Sequence, residues 1–319
     1  MYLNDQLIIY HLIHNLLDLS QFTDIISNRH VVLMCLCVKV CDNLMKLNSL
    51  TYLTAIVCAY LIALTASVSA QEFNNTQNAS GSVVSTSENL PIQAKILINA
   101  YPEQHLNYSD NQIIFDDGTS IEFDDAIEKD FSAMMDDSDV EDMFSMKYNR
   151  EGTPAYLQDP GRSRCEPLFK KMYGKDSKSV RKNLVKVDWF GSTIKFTQIN
   201  GAAEHLKKVA EEIRHDHPEL IPYMKSAGTF NWRKVRHANR QSAHSYGIAI
   251  DIAVKQSDYW KWSNPKASET DKIEYHNRIP MALVEVFEKH GFIWGGRWYH
   301  YDTMHFEYRP EIIQMQQPE

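Results

Sequence analysis

Ser242-Ala243-His244-Ser245-Tyr246-Gly247-Ile248-Ala249-Ile250-Asp251-Ile252-Ala253-Val254 is the stretch from which the rest of the chain can be read. Its second half, Ile248 to Val254, is a short and nearly continuous apolar run, the pattern of a buried strand. Asp251 interrupts that run. A carboxylate inside an apolar strand is costly to bury unless a strong partner holds it. A metal ion is one such partner, and an Arg or a set of backbone donors is another. His244 lies seven residues earlier, ahead of Gly247, a residue that allows a tight turn. A loop ending in a strand can bring both side chains to one point, and imidazole and carboxylate are both good zinc ligands.

A second stretch strengthens the metal reading: Trp294-Gly295-Gly296-Arg297-Trp298-Tyr299-His300-Tyr301-Asp302-Thr303-Met304-His305-Phe306-Glu307. A catalytic zinc site takes three protein ligands and keeps one position open for water. His244, Asp251 and His305 supply the three. Zinc lowers the pKa of bound water from about 15.7 to roughly 7, and a nearby carboxylate must then move the proton. Asp302, three residues before His305, is the candidate base. Glu307 lies two residues beyond His305 on an expected strand and points the same way. It is a candidate second carboxylate, supporting His305 or competing as base. His300 is expected to be a surface group or to stand behind the ligands.

These residues resemble the D-alanyl-D-alanine carboxypeptidase family of zinc peptidases, the VanY-like group, which includes phage endolysins that cut the L-alanyl-D-glutamate bond. The shared pattern is Ser-x-His-x6-Asp followed by a late Asp-x-x-His, here Ser242, His244, Asp251, Asp302 and His305. Asn231-Trp232-Arg233, Asn239-Arg240 and Gly-Gly-x-Trp at Gly295–Trp298 are similar to that group too. The resemblance runs from about Cys165 to Pro310. It implies a small antiparallel sheet with flanking helices, shared with the hedgehog signalling domain. It implies zinc as cofactor, the ligand and base roles given above, and peptidoglycan peptides as substrate. It says nothing about residues 71–150.

Peptidoglycan stems carry carboxylates, and the planar fork of Arg receives a carboxylate through two hydrogen bonds. Arg233 and Arg240 are the substrate-binding candidates, with Arg233 favoured by the resemblance; a surface salt bridge is the plainer reading of each. Ser242 either donates to substrate or shapes the turn. No Gly-x-Ser-x-Gly surrounds it, so it is not read as a nucleophile. Trp298 and Tyr246 either line a cleft or pack in the core.

Outward from these motifs, Val185, Val187 and Trp189 alternate, then a Gly191-Ser192 turn leads to Ile194 and Phe196, the pattern of a strand pair. Asn200 is placed to cap a helix carrying Leu206, Val209, Ala210 and Ile213. Pro280 opens a helix with Leu283, Val284 and Phe287 on one side, and Gly291 ends it. Phe292–Trp294 and Thr303–Tyr308 read as further strands. Helices and strands interleave without a regular βαβ rhythm, so the expected class is α+β.

The chain has 319 residues and a formal net charge of −8, which argues against nucleic acid as partner. The charge is uneven. Thirteen acidic residues and one base, Lys129, lie between Asp110 and Asp142, whereas Met143–Glu319 carries 28 Lys+Arg against 21 Asp+Glu. A basic catalytic region suits an anionic substrate. Residues 90–150 read as an acidic accessory region, with a hairpin turn at Asp117-Gly118, or as a partly disordered acidic tail. Asp116, Asp117, Asp124 and Asp125 lack the spacing of a calcium loop. Residues 151–319 read as the peptidase domain. Four of five cysteines, Cys35, Cys37, Cys41 and Cys58, precede residue 59, and Cys165 reads as a packing residue.

Residues 45–70 read as a secretory signal. Lys46 gives the positive region, Leu53 to Leu64 the apolar core, and Val68-Ser69-Ala70 the cleavage site. The apolar core is short for a membrane span. Residues 1–44 read as lying upstream of a true start at Met45, the alternative being that Leu7–Leu17 and Val31–Val40 are membrane-associated segments, and residues 71–89 read as a flexible linker. The sequence therefore points to an exported zinc peptidase of the cell envelope, with no membrane span in the mature chain. A non-catalytic zinc-containing wall-binding module of hedgehog-like fold is the alternative, and a structural zinc protein would need a fourth ligand.

Overall fold

The computed structural model describes residues 90–236 and 238–316. The stretches read as upstream residues 1–44, signal 45–70 and linker 71–89 lie outside the described residues, as do the four N-terminal cysteines. The described part carries α1 (Ile92–Ala100), β1 (Asn107–Ser109), β2 (Gln112–Ile114), β3 (Ser120–Glu122) and α2 (Phe131–Asp136). After these come α3 (Glu166–Tyr173), α4 (Ser177–Lys182), β4 (Leu184–Trp189), β5 (Ser192–Thr197) and α5 (Ala202–His215). The remainder is β6 (Ser226–Gly228), β7 (Ala249–Ile252), α6 (Trp260–Ser263), α7 (Met281–Lys289), β8 (Phe292–Trp294), β9 (His305–Tyr308) and α8 (Pro310–Gln314). The class is α+β: three small antiparallel sheets, β1-β2-β3, β4-β5 and β6-β7-β9-β8, with helices around them.

Strand alternation explains the central sheet. On β9, Phe306 and Tyr308 point one way and His305 and Glu307 the other. Phe306 stacks on Phe287 of α7, ring centroids 4.0 Å apart, so its face belongs to the core. Ile250 is opposite Phe306 in the β7–β9 register and shares that face. The other face therefore collects the polar residues, Asp251, His305 and Glu307. α5 buries Leu206, Val209, Ala210 and Ile213 at the expected helical spacing. Fully burying Leu206, Val209 or Ile213 contributes roughly 1.5–3 kcal/mol each by leaving water.

Two local expectations change. Asn200 does not cap α5. It sits in the left-handed region at φ 56, and Gly201 at φ 68 takes the capping position without a side-chain bond. The Asn200 side chain is drawn away by Gln104, whose Nε2 donates to its Oδ1 at 2.8 Å. The strand expected to reach Val254 ends at Ile252, because Ala253 turns left-handed at φ 53.

Residues 90–150 form ordered structure within the same hydrophobic cluster as the rest: Leu97, Tyr101, Ile113 and Tyr148 are buried there. The Asp117-Gly118 turn joins β2 to β3, with Gly118 at φ 78. Lys129, the one base of the acidic stretch, is drawn into its centre. Its ammonium lies 2.7 Å from Asp125, 3.3 Å from Asp139 and 2.6 Å from Asp142, with the lysine side chain 4% exposed. A single lysine thus supplies the countercharge for the carboxylates gathered there, Asp125 among those first weighed for calcium. We predict that Lys129→Met lowers unfolding free energy by about 3 kcal/mol, because buried carboxylates lose their partner. Lys129→Arg should cost less than half of that. Urea unfolding of the two variants checks this, and equal losses would contradict it.

Candidate metal centre and its pocket

The β7–β9 register sets Asp251 directly opposite His305. The Asp251 carboxylate oxygen Oδ1 lies 3.0 Å from His305 Nδ1 and 3.2 Å from His244 Nε2. Ligand atoms of all three residues lie within 4.8 Å of one another. His244 arrives from the short 3-10 turn Ala243–Tyr246, which Gly247 closes at φ 69. A Cβ on Gly247 would displace the end of the Leu184 side chain, but it is the left-handed backbone that makes the turn delivering His244 need glycine.

The outer nitrogens orient the rings. His244 Nδ1 is 2.6 Å from the Thr229 carbonyl oxygen, which calls for a proton on Nδ1 and leaves Nε2 facing Asp251. His305 Nε2 is 3.4 Å from Glu307 Oε2, which leaves Nδ1 on the inner side. The gaps of 3.0 and 3.2 Å approach the edge of a tetrahedron around an ion about 2.0–2.1 Å from each ligand, roughly 3.3 Å. The donor set, two imidazoles and a carboxylate, is that of a zinc site with an open position. The residues fit the group.

Electrostatics favour positive charge at this point. Burial raises the Asp251 carboxyl, but the hydrogen bonds and charges of His244 and His305 outweigh it and hold it far below the usual range. Burial lowers His305, yet Asp251 and Glu307 lift it to about 10. A cation among these groups answers the same demand.

Behind His305 stands a buried charge ladder. Glu307 is fully buried, with Arg164 at 3.3 Å and Arg309 at 3.1 Å. Burial raises its carboxyl, but Arg164, His305 and Arg309 hold it down at about 2. Arg309 also pairs with Glu311, and the Tyr101 hydroxyl donates to Glu311 at 2.5 Å. The ladder thus runs from the candidate ligand His305 to Tyr101 at the end of α1.

Asp302 lines the same cavity of about 470 Å³ as the three ligands. Its backbone is fixed close by. Asp302 N–H donates to the Gly295 carbonyl at 3.0 Å, and a Cβ on Gly295 would meet Asp302 O at 2.4 Å. Its Oδ1 is buried without a hydrogen-bond partner among the described residues. Burial, aided by the charge of Asp251, pushes its carboxyl up to about 6 against the pull of His305 and His244. That value suits a group that takes and returns a proton near neutral pH.

The other expected residues divide. Arg233, Arg240 and Ser242 all line the cavity. Arg233 is exposed. Arg240 is buried and engaged, with Asp136 of α2 at 2.5 Å and Glu269 at 3.6 Å. Ser242 precedes the His244 turn, and its N–H donates to the Arg233 carbonyl at 3.0 Å. Trp298 lines the cavity, its ring 5.4 Å from that of His305, whereas Tyr246 packs in the core against Phe169 and Tyr173. His300 is not a surface group, being 1% exposed. Its Nδ1 is 2.5 Å from Asp159 Oδ2 and its Nε2 is 2.8 Å from the Glu269 carbonyl, so both ring nitrogens face acceptors. Cys165 is buried, which pushes its thiol up to about 12 and leaves it inert. Sequence reasoning missed Thr229, whose backbone carbonyl carries no side-chain signature, and Arg162 and Arg164, which pair with Glu269 and Glu307 across long sequence gaps.

Residues 236–308 match the family model described as D-alanyl-D-alanine carboxypeptidase. The resemblance to that peptidase family holds over this segment, which contains His244, Asp251, Asp302, His305 and Glu307. No curated protein matches the chain. Among the described residues no helix is long and apolar enough to cross a membrane.

Glu307→Gln should weaken zinc binding by roughly 10- to 100-fold, as loss of a group supporting a ligand does. It should also remove about 3 kcal/mol of stability at neutral pH. The Glu307 carboxyl is depressed in the fold, so its contribution is present above the unfolded value of about 4.3 and fades as pH falls towards 2. Unfolding of wild type and variant across that range should therefore converge at the acid end. A deficit independent of pH would contradict the assignment.

Proposed function

We propose that this chain is an exported zinc peptidase that hydrolyses the peptide stems of peptidoglycan, with His244, Asp251 and His305 as ligands and Asp302 as general base. The observation that carries the reading is the meeting of three ligand atoms around Asp251 Oδ1, beside a buried carboxylate with an unpartnered oxygen. The family match supports the substrate class. Export is supported by the signal-like sequence at 45–70.

The chemistry that zinc supplies when bound in such a site is Lewis acidity, which acidifies a water and polarises a carbonyl. The chain does the rest. Asp302, its carboxyl near 6, accepts the proton of the attacking water and returns it to the leaving amine. Glu307 is held ionised by Arg164 and Arg309 and faces His305, which suits it to anchor that ligand and unfits it for proton transfer. His300 has both nitrogens engaged and does not compete as base. The Trp298 ring lines the cavity beside His305. The presence of Asp302 supports this reading over the non-catalytic wall-binding module, which has no use for a buried base.

Asp302→Asn should keep one zinc per chain and lose roughly 10²- to 10⁴-fold in kcat, the range of a general base. Metal analysis and digestion of stem peptides, with the products weighed, check both halves. The product masses also read which bond is cut, a terminal D-Ala or an internal one. Wild-type turnover in the variant would overturn the role of Asp302.

A further inference from the structure

An isolated antiparallel bridge sets Tyr259 directly opposite the candidate base Asp302. Two backbone bonds flank the bridge. Trp260 N–H donates to the Tyr301 carbonyl at 2.9 Å, and Thr303 N–H to the Asp258 carbonyl at 2.9 Å. Asp258 N–H adds a third bond, to Thr303 Oγ1 at 2.7 Å. Neither Tyr259 nor Asp302 spends its own backbone groups on the flanking bonds, so the two form a non-hydrogen-bonded pair. Facing side chains come closest in such a pair and leave the backbone on the same side. Both residues line the cavity that holds His244, Asp251 and His305. The pairing therefore sets a phenol beside the buried carboxylate, on the wall of the candidate metal centre.

That phenol is uncommitted. Its hydroxyl has no hydrogen-bond partner among the described residues. Burial, aided by the negative charge of Asp302, pushes the hydroxyl above the usual tyrosine value, so it keeps its proton at neutral pH. The ring is held edge-on to Trp262, with centroids 6.0 Å apart, and to Trp260 at 6.4 Å. Two other donors of the same wall are spent. Trp298 Nε1 donates to the Pro160 carbonyl at 2.7 Å, and both His300 nitrogens face acceptors. A neutral donor fixed in place, with no acceptor of its own, stabilises negative charge that develops in front of it.

We propose that Tyr259 is a catalytic residue of this site, its hydroxyl donating a hydrogen bond to the oxygen of the scissile carbonyl as that oxygen takes on negative charge. The proposal rests on the peptidase reading and adds a residue to its machinery. When water adds to the carbonyl carbon, a C–O bond forms, the carbonyl π pair moves onto its oxygen, and Asp302 takes the proton of the water. On collapse that pair re-forms the C=O bond, the C–N bond breaks, and Asp302 returns the proton to the amine. Tyr259 keeps its own proton throughout. Its bond is strongest at the tetrahedral stage, so it acts on turnover more than on substrate binding.

The test uses Tyr259→Phe in the zinc-loaded full chain, a change that keeps the ring between Trp260 and Trp262 and removes only the hydroxyl. With stem peptides, kcat should fall roughly 10²- to 10³-fold, and KM should stay within about threefold. Zinc content, unfolding midpoint and the pH dependence of kcat/KM should be unchanged. Calorimetry supplies a readout apart from turnover. A phosphinate stem peptide, whose tetrahedral phosphorus replaces the scissile carbonyl, should bind the variant at least about tenfold more weakly, whereas the cleaved products should bind both proteins alike. Wild-type kcat in the variant would overturn the proposal. So would a displaced pH profile with phosphinate affinity intact, since Tyr259 would then act only through Asp302. If wild type cleaves no stem peptide and binds the phosphinate no tighter than the products, the proposal falls together with the peptidase reading; cleavage by wild type and variant alike sinks the proposal alone.

Discussion

One backbone register underlies the whole arrangement: β7 runs antiparallel to β9 with Asp251 opposite His305. Because strand side chains alternate, a slip of one residue would send both into the core and bring Ile250 and Phe306 to the cavity. The stacking of Phe306 on Phe287 opposes that slip from the other face. Hydrophobic packing on one side of the sheet therefore fixes the chemistry on the other.

The same register carries the burden of buried charge. Asp251, His305, Glu307, Arg309 and Glu311 follow one another on or beside two short strands. Each would be costly to bury alone. Alternating signs along the ladder, with Arg164 at its side and Tyr101 at its end, offset most of that cost. The end nearest the cavity, around Asp251, is where a further positive charge is most favoured. The candidate metal centre thus lies at one end of the chain of contacts by which the sheet satisfies its own buried carboxylates.

Much of this was legible in the sequence. An Asp within Ile248–Val254, a His before Gly247 and a late Asp-x-x-His named the four central residues, because a buried polar residue in an apolar strand demands a reason. The two hairpins, at 113–123 and 185–196, and the helix through Leu206 and Ile213 followed from periodicity. What could not be read were pairings across long sequence gaps: Asp159 with His300, Arg164 with Glu307, Asp136 with Arg240. Nothing in a local pattern ties residues more than a hundred positions apart. For that reason the sequence left His300 either at the surface or behind the ligands, and Asp136 of α2 could not be named as the salt-bridge partner of Arg240. Asn200 shows the same limit on a smaller scale, since a contact from Gln104 outweighs its capping propensity.

X-ray absorption on the zinc-loaded chain reads the metal's neighbours. The expected spectrum shows one zinc per chain, with two imidazole nitrogens, one carboxylate oxygen and one solvent oxygen at about 2.0–2.2 Å, and loss of the imidazole signal in step with His244→Ala and His305→Ala. A chain that binds no zinc, or a zinc held by four protein ligands or by sulfur, would contradict it.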